Sequence, residues 1–314
     1  MLPLRSLGRT DLRVTAIGLG GGGFSRLGIG RGYGAQNAEA VARAALDAGI
    51  NLIDTAEAYG TESAIGNTIS RVPRDSLVLS TKLSYKVDGH IKTAGQIEAS
   101  LDASLKRLRT DYVDIYHVHG AMAQDYAAIV DSVAPALQRM RDKGKLRHIG
   151  ITEAFSHDTS HRALQLAVQD DCWDVMMVGF NLLNSSARTS VFAATRAKGI
   201  GTLCMFAVRQ ALIDITHLEE YLRRQIAEGA VSEAAIHSVS LARDLLEKGA
   251  AGSLTEAAYR YCLHEPGIDC VLSGTSSTEH LLRNLATAQH SPLPGEFTSA
   301  VEALFAGIAT LSGQ

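Results

Sequence analysis

The sequence is poor in cysteine and proline, and it has no long apolar run. Its 4 cysteines stand singly without a C-x-x-C pair, so the sequence indicates neither a disulfide framework nor a cysteine-bound zinc site. With only 6 prolines and 20% charged residues, the composition is that of a globular chain rather than a disordered one. No apolar run reaches the roughly 18 residues of a membrane-spanning helix, and the first residues lack the pattern of a secretion signal. We therefore expect a cytoplasmic protein with reduced thiols and no membrane association.

Charge is balanced and evenly spread along the chain. The formal net charge is -3 at pH 7, from 30 Lys and Arg against 33 Asp and Glu. A chain without a basic patch carries no electrostatic footprint for nucleic acid. A small molecule is the expected partner, and no feature of the sequence indicates an oligomeric state.

What the sequence does contain is a repeated alternation of short β-branched runs and helical patterns. The predicted strands are residues 15–19, 51–55, 77–82, 112–119, 148–152, 174–181, 201–208 and 270–275. The predicted helices are residues 37–49, 93–108, 126–143, 158–168, 185–197, 254–264 and 278–288. Eight strands alternating with helices favour a closed (β/α)8 TIM barrel over an open sheet. No linker interrupts the repeat, so we predict one domain spanning residues 1–314.

Two segments fall outside the repeat. Residues 1–14, with a turn at Gly8 and Arg9, are predicted to form a hairpin that closes the barrel floor. Residues 209–253 form a long insertion after the seventh strand, with helical patterns at 218–228 and 232–247. Insertions at the C-terminal face of a barrel usually shape a ligand site.

Four ionisable residues stand at or just after predicted strand ends. Asp54 ends NLIDT, Tyr59 follows in EAYG, Lys82 closes LVLSTK and His119 closes YVDIYHVHG. Three of them have an ordinary structural interpretation: Asp54 as a cap of the following helical turn, Tyr59 as a half-buried aromatic and Lys82 as a solvated lysine. Because the carboxyl ends of barrel strands meet at one face, we instead expect these four side chains to form a catalytic cluster.

This group suits proton transfer coupled to hydride transfer at a carbonyl. A free tyrosine has a pKa near ~10, too high for efficient acid and base work at neutral pH. Lys82 would favour the phenolate of Tyr59, and Asp54 would keep Lys82 charged. His119 would orient the substrate oxygen. His117 points to the same side of the strand, but we assign the role to His119 because it stands at the strand terminus.

The glycine run at residues 18–23 contains G-x-G-x-x-G, which in a dinucleotide-binding fold opens a helix directly. Here FSRLGIGRGYGAQ separates the run from the helix predicted at residue 37. We therefore interpret it as the first loop at the barrel mouth. Its Phe24 and Tyr33, with Tyr85 in the loop 83–92, are candidate substrate contacts; a glycine loop without specific contacts is the alternative.

The motifs DTAEAYG, STK and DIYHVH, in this order and at strand ends, resemble those of the aldo-keto reductase superfamily. Similar stretches run through nearly the whole chain, namely LGRTDLRVTAIGLG, SLKRLRTDYVD, PALQRMRDKGKLRHIGIT and VLSGTSSTEHLLRNL. The resemblance implies reversible NAD(P)H-dependent carbonyl reduction, or oxidation of a secondary alcohol or sugar hydroxyl, without a metal. It implies that Tyr59 is the general acid and base.

The resemblance also implies cofactor contacts. At the nicotinamide end these are Thr152, Glu153, Met177 and Phe180, where Glu153 and Met177 depart from the family's amide side chains and Phe180 would stack on the ring. At the adenosine end, the residues implied are Gly274, Thr275, Ser276, Ser277, His280 and Asn284. Few cations stand there, although Arg209 and Arg283 could substitute. The choice between NAD(H) and NADP(H) stays open.

Two other functions are consistent with these residues. An aldolase-type lyase could use Lys82 as a Schiff-base nucleophile and would need no nicotinamide. A cofactor-binding sensor or partner subunit would bind the nucleotide with little turnover. Asp54, Tyr59 and His119 beside Lys82 favour the oxidoreductase, acting on a small carbonyl or sugar substrate.

Overall fold

Eight parallel strands close into a barrel in the computed structural model, which describes residues 2–314. A hairpin of β1 (Leu4–Ser6) and β2 (Arg13–Thr15) precedes the barrel, and a small hairpin of β6 (Lys86–Val87) and β7 (His90–Ile91) follows its third strand. The barrel strands are β3 (Ile17–Gly20), β4 (Leu52–Asp54), β5 (Val78–Leu83), β8 (Val113–Ala121), β9 (Leu146–Glu153), β10 (Val175–Gly179), β11 (Gly201–Met205) and β12 (Cys270–Ser273). β12 pairs with β3 and closes the ring. The predicted (β/α)8 barrel is confirmed.

Helices surround the barrel. They are α1 (Gly34–Asp47), α2 (Glu62–Ile69), α3 (Ala94–Leu108), α4 (Tyr126–Ala128), α5 (Ala134–Asp142), α6 (Arg162–Ala167), α7 (Ala193–Lys198), α8 (Ile215–Ala227), α9 (His237–Glu247), α10 (Leu254–Leu263), α11 (Thr278–Ala286) and α12 (Gly295–Leu304). The π-helical turns Ile129–Val133 and Arg188–Phe192 lead into α5 and α7. The long insertion after β11 contains α8 and α9, as predicted.

The periodicity did not predict α2 or α12. α2 is only 8 residues long and has Gly66 near its middle, which lowers its helical propensity. A Cβ on Gly66 would lie 2.3 Å from the carbonyl oxygen of Arg107. The glycine therefore lets α2 approach α3 closely, so that tertiary packing rather than local preference forms this helix.

The N-terminal hairpin closes the barrel floor, as predicted for residues 1–14; Met1 lies outside the described residues. Leu7, Leu12 and Val14 are buried in one cluster with the inward side chains of the barrel strands, which include Leu52, Val78, Ile115, Val175, Met177, Leu203 and Cys270. The turn needs Gly8, which has φ +52° and where a Cβ would lie 2.2 Å from the amide nitrogen of Gly201.

We expect Leu7→Ala to lower the free energy of unfolding by about 2–5 kcal/mol, because it leaves a cavity beneath the barrel. Leu4 on the same hairpin is 49% exposed, so Leu4→Ala is the matched control and should change stability by about 0.5 kcal/mol or less. Urea unfolding followed by circular dichroism measures both. Equal losses in the two variants would contradict the placement of Leu7 in the floor.

Across residues 2–314, no helix combines the length and apolarity needed to cross a membrane. In the same described part of the chain, no three His, Cys, Asp or Glu side chains are grouped as a metal site would require. Cys204, Cys262 and Cys270 are buried free thiols, and Cys172 is a partly buried one.

Candidate active site

The four predicted catalytic side chains lie together at the carboxyl ends of β4, β5 and β8. Nζ of Lys82 lies 2.5 Å from Oδ2 of Asp54 and donates a second hydrogen bond to the carbonyl oxygen of Thr55 at 2.7 Å. The hydroxyl of Tyr59 lies 3.2 Å from Nε2 of His119. Nζ of Lys82 lies 4.9 Å from the centroid of the Tyr59 ring. A cation, a phenol and an imidazole therefore share one site.

Local structure fixes the position of the phenol. Tyr59 ends the 3-10 turn Glu57–Tyr59, and Gly60 follows it in the left-handed region with φ +74°. A Cβ on Gly22 would lie 2.6 Å from the Tyr59 ring, so the loop after β3 packs directly on the ring only because residue 22 is glycine. The glycine-rich loop is thus a wall of this site, as the sequence predicts.

The ion pair beneath the phenol is almost fully buried, with both side chains at most 4% exposed. Burial raises the pKa of Asp54, while Lys82 and the hydroxyl of Ser80, which donates to Oδ1 at 2.7 Å, oppose that rise. Burial alone would lower the pKa of Lys82, but the Asp54 carboxylate outweighs it, so the pKa is raised. Lys82 is therefore an ammonium at neutral pH.

Tyr59 and His119 are both neutral at physiological pH. Burial raises the pKa of Tyr59, and the nearby Lys82 only partly offsets this. Lys82 does lower the pKa of Tyr59, as expected, but burial raises it by more, so the net shift is upward. Burial and then Lys82 lower the pKa of His119 to about 3. The site holds a protonated phenol next to an uncharged imidazole.

His117, the competing histidine, lies deeper in the barrel. It is fully buried, and neither ring nitrogen has a hydrogen-bond partner among the described residues. A Cβ on Gly150 would lie 2.2 Å from its Nδ1, so the ring fills the space left by that glycine. Burial and then Lys82 hold the pKa of His117 well below its usual range. It is His119 that reaches Tyr59.

Thr152 and Glu153 end β9, where the nicotinamide carboxamide was expected. Oγ1 of Thr152 accepts a hydrogen bond from the backbone N–H of Gly120 at 2.7 Å. The Glu153 carboxylate lies 2.9 Å from Nδ1 of His161 and accepts the backbone N–H of Gly179 at 2.8 Å. Burial raises the pKa of Glu153, and His161 opposes it. Glu153 is thus engaged within the protein.

Met177 and Phe180 do not lie at the mouth. Met177 and Val175 are buried inside the barrel, in the same cluster as the N-terminal hairpin. The odd-numbered side chains of β10 therefore face the barrel interior. Phe180 therefore points outward. It is fully buried and stacks on Tyr261 of α10, with ring centroids 5.4 Å apart. The predicted stacking of Phe180 on a nicotinamide is inconsistent with this placement.

An aromatic ring that the sequence reasoning missed stands at the end of β11. Phe206 is half-buried, has φ +66°, and its ring lies 5.9 Å from that of Phe155. The guanidinium of Arg209 lies 4.1 Å from the Phe206 centroid. The sequence predicted a strand at residues 201–208, in which Phe206 would be one of the regularly alternating residues. The strand instead ends at Met205, so Phe206 was not recognised as a residue of the barrel mouth.

The residues predicted for the adenosine end gather after β12. Ser277 caps α11, because its Oγ accepts the backbone N–H of His280 at 3.2 Å. Oγ1 of Thr275 accepts the backbone N–H of Ser277 at 3.1 Å. Nδ2 of Asn37 donates to the carbonyl oxygen of Ser276 at 3.0 Å and ties this loop to α1.

The other residues predicted for the adenosine end differ in their surroundings. A Cβ on Gly274 would lie 3.0 Å from the carbonyl oxygen of Gly20, so the loops after β12 and β3 meet backbone to backbone. Nδ2 of Asn284 donates to Oγ of Ser273 at 3.0 Å. Arg283 is 64% exposed, and its guanidinium lies 3.9 Å from the carboxylate of Glu279 in the same helix. Glycines and hydroxyls, rather than cations, therefore line this end.

Of the three predicted substrate contacts, two are exposed to solvent and one is buried and hydrogen-bonded. Phe24 is 64% exposed and Tyr33 is 58% exposed, both in the loop after β3. Tyr85 is buried, and its hydroxyl donates to Oδ2 of Asp125 at 2.8 Å. Phe24 and Tyr33 therefore offer open aromatic surface on the loop whose Gly22 packs against Tyr59.

The sequence is similar to a known protein family and to proteins of known activity. The profile of the Aldo/keto reductase family matches residues 16–306. The chain is 29% identical to L-galactose dehydrogenase of Arabidopsis thaliana, over 99% of this chain and 97% of that protein. It is 26% identical to L-glyceraldehyde 3-phosphate reductase of Escherichia coli (strain K12), over 90% and 86% of the two chains.

A solved structure shares the fold. The aldo-keto reductase AKR11C1 from Bacillus halodurans (holo form) superposes with a TM-score of 0.72 at 21% identity, over 97% of this chain and 96% of that one. The family profile spans most of the sequence and contains all four clustered residues. The chain belongs to the aldo/keto reductase family and is an oxidoreductase of that family.

Proposed function

We propose that this protein catalyses reversible hydride transfer between NAD(P)(H) and an aldehyde or ketone, or in the opposite direction a secondary alcohol or sugar hydroxyl. The observation that carries the proposal is the protonated Tyr59 hydroxyl 3.2 Å from neutral His119, with the Lys82–Asp54 ion pair behind the ring. A carbonyl oxygen placed between the phenol and the imidazole would meet a proton donor and an orienting group.

Tyr59 is the proposed general acid in reduction and general base in oxidation. In reduction its O–H proton goes to the carbonyl oxygen as negative charge develops there. The phenolate left behind is stabilised by the Lys82 ammonium, which Asp54 keeps charged. General acid catalysis of this kind contributes about 10²–10⁴-fold to a rate. His119, neutral because of its lowered pKa, orients the substrate by a hydrogen bond without competing as an acid.

The residues after β3 and β12 fit a nicotinamide dinucleotide. Gly20 and Gly274 bring two loops into backbone contact at the mouth, and the 9-residue helix α11 begins there. Backbone N–H groups at a helix start favour a phosphate. Ser276, Ser277 and Thr275 add hydroxyls, and Phe206 is the proposed stacking aromatic in place of Phe180. When bound, the dinucleotide supplies or accepts the hydride.

The names of the relatives support a small aldehyde or sugar substrate. L-galactose dehydrogenase and L-glyceraldehyde 3-phosphate reductase are both similar over most of their length. Open aromatic side chains at the rim, Phe24 and Tyr33, are suited to pack on the apolar face of such a molecule.

An aldolase-type lyase gains no support from the site. A Schiff-base lysine attacks as the free amine, whereas Nζ of Lys82 is buried, bonded to Asp54 and Thr55, and has a raised pKa. A cofactor-binding sensor would bind the same nucleotide without turning over a carbonyl substrate, so measured turnover distinguishes it from the oxidoreductase.

Titration with NADH and with NADPH tests the proposal and decides between the two cofactors. Trp173 is the single tryptophan, is fully buried, and donates from Nε1 to the Tyr126 hydroxyl at 3.1 Å, so its emission is a defined reporter. We expect saturable quenching by at least one reduced nucleotide, and the tighter one identifies the cofactor. Absence of binding by both at millimolar concentration would refute the proposal.

A further inference from the structure

A polar cavity lies on the outer wall of the barrel, where α1, α2 and the end of α3 meet. Its volume is about 570 Å³, within the roughly 300–1,000 Å³ of small-molecule sites. From this region the chain continues from α2 toward β5 and from α3 toward β8, so the cavity is near the beginnings of those strands. Tyr59 lies at the opposite, carboxyl ends of the strands. The cavity is therefore outside the candidate active site.

Three arginines line this cavity, namely Arg43, Arg71 and Arg109. Nη2 of Arg43 donates to the carbonyl oxygen of Thr68 at 3.0 Å, which holds this guanidinium at the cavity wall. The single carboxylate of the lining belongs to Glu39, and its Oε1 accepts a hydrogen bond from Nδ2 of Asn67 at 2.7 Å. The carboxylate is thus engaged by an amide rather than by an arginine.

Within residues 2–314, none of these three arginines forms an ion pair. By contrast, Arg107 in the last turn of α3 pairs with Glu62 at 2.6 Å. Cations gathered in one cleft without counter-charges raise the local positive potential and attract anions. The lining also contains side chains that can donate hydrogen bonds, among them Gln36, Asn67 and Ser70.

Arg109 has a backbone conformation that favours glycine. It caps α3 in the left-handed region, with φ +56° and ψ +46°. Glycine is the usual residue at such helix ends, because a Cβ is disfavoured there. Non-glycine residues in sparsely populated backbone conformations are concentrated at functional sites. The arginine lowers the stability of this helix end, but it supplies a guanidinium to the cavity.

Phosphate is the anion that suits this cavity best. A guanidinium binds phosphate oxygens through paired hydrogen bonds, and one phosphate group carries about -1.5 to -2 charges at pH 7. Two linked phosphates therefore offer enough oxygens and charge for three arginines. The volume of the cavity suits a small molecule, and a chain with a formal net charge of -3 does not attract a nucleic acid as a whole.

We propose that the cavity lined by Arg43, Arg71 and Arg109 binds a small molecule through a diphosphate group. The site is separate from the candidate active site, and the inference does not rest on the proposed function. The diphosphate can be inorganic pyrophosphate or part of a nucleoside diphosphate, because both present the same group to the arginines.

The first probe is inorganic pyrophosphate, measured by isothermal titration calorimetry on the full chain with the tighter-binding reduced nucleotide at saturation. The nucleotide occupies the candidate active site, so the heat reports binding elsewhere. We expect saturable binding to the wild type. The triple variant Arg43→Gln, Arg71→Gln, Arg109→Gln should bind pyrophosphate at least about tenfold more weakly.

Arg71→Gln and Arg196→Gln form a matched pair of single variants. Both arginines are exposed and neither forms an ion pair among residues 2–314, but Arg196 lies on α7 and does not line the cavity. Arg71→Gln should weaken pyrophosphate binding about threefold or more, whereas Arg196→Gln should leave it unchanged.

Arg109→Gly separates binding from folding. Glycine adopts the left-handed backbone without a Cβ, so the variant should not lower the midpoint of thermal unfolding. It also removes one guanidinium, so pyrophosphate should bind about threefold more weakly or worse. A residue that served only to end α3 would not affect binding when replaced by glycine.

ADP under the same conditions assigns the source of the diphosphate. Tighter binding of ADP than of pyrophosphate points to a nucleoside diphosphate, and equal or weaker binding points to the inorganic form. A hexaglutamate peptide that binds the cavity more tightly than either would overturn the inference, because the partner would then be an acidic protein segment.

Equal pyrophosphate binding by the wild type and the triple variant would overturn the inference, as would absence of binding to the wild type at about 10 mM. These outcomes are independent of turnover. If no nicotinamide nucleotide binds, the proposed function fails, and the same titrations without nucleotide still test the cavity. If carbonyl reduction is observed but pyrophosphate does not bind, the cavity inference alone fails.

Discussion

Tyr59→Phe is expected to lower kcat by about 10²–10⁴-fold while leaving the affinity for the reduced nucleotide within about twofold. The variant removes one oxygen and keeps the ring that packs against Gly22, so the fold and the loop after β3 should be undisturbed. Stopped-flow absorbance of the reduced cofactor, with a fluorescence titration on the same preparation, measures both quantities.

The loss should appear in kcat more than in KM, because proton donation stabilises the transition state rather than the bound substrate. Tyr112→Phe also removes one phenol oxygen, but directly before β8, at the opposite end of the barrel from the site; it is the control and should keep kcat near the wild-type value. Wild-type turnover by Tyr59→Phe would contradict the acid and base assignment.

Lys82→Met should both abolish turnover and destabilise the fold by about 3–5 kcal/mol at pH 7. It leaves the Asp54 carboxylate buried without its cation, and at most 4% of either side chain is exposed to water that could replace the lost contact. Turnover falls because the Tyr59 phenolate also loses its stabilising charge. Urea unfolding and steady-state kinetics measure the two effects.

The destabilisation should grow with pH. In Lys82→Met, only the hydrogen bond from Ser80 still opposes the effect of burial on Asp54, so the folded pKa of Asp54 rises further above the ordinary value of 3.8. A carboxyl whose folded pKa is raised keeps its contribution to stability below the unfolded pKa and loses it as pH rises through the folded pKa. The deficit against the wild type should therefore be smaller at pH 5 than at pH 7.

The double variant Asp54→Asn with Lys82→Met separates charge from shape. It removes the uncompensated carboxylate, so much of the lost stability should return although turnover does not. If the double variant is as unstable as Lys82→Met at every pH, the buried charge is not the cause.

The barrel was predictable because every βα unit carries its own signal in sequence. A buried parallel strand has a short apolar run in its sequence, and a surface helix has apolar residues at helical spacing. Both patterns are contained within the segment itself. The catalytic cluster was predictable for a related reason, since Asp54, Lys82 and His119 stand at strand ends that the barrel geometry must bring to one face. α2 was missed because its packing on α3 through Gly66 is not local.

The cofactor contacts were predicted less well because they depend on side-chain direction. One position of register decides whether a strand residue faces the barrel or its helices, and this placed Phe180 against Tyr261. The left-handed backbone of Phe206 breaks that alternation and brings an unpredicted ring to the mouth. Contacts such as Glu153 with His161, or Arg209 with Gln314, join loops whose separation gives no periodic signal.

Transfer of deuterium from reduced cofactor labelled at C4 of the nicotinamide tests the central claim most directly. The purified protein is incubated with the nucleotide that binds more tightly, labelled in turn on each face of the ring, and a small aldehyde, and the alcohol is analysed by mass spectrometry. We predict one deuterium on the carbinol carbon from one of the two labelled forms, with wild-type yield far above that of Tyr59→Phe. An alcohol without deuterium from either form, or no alcohol from any aldehyde or ketone despite cofactor binding, would contradict the account.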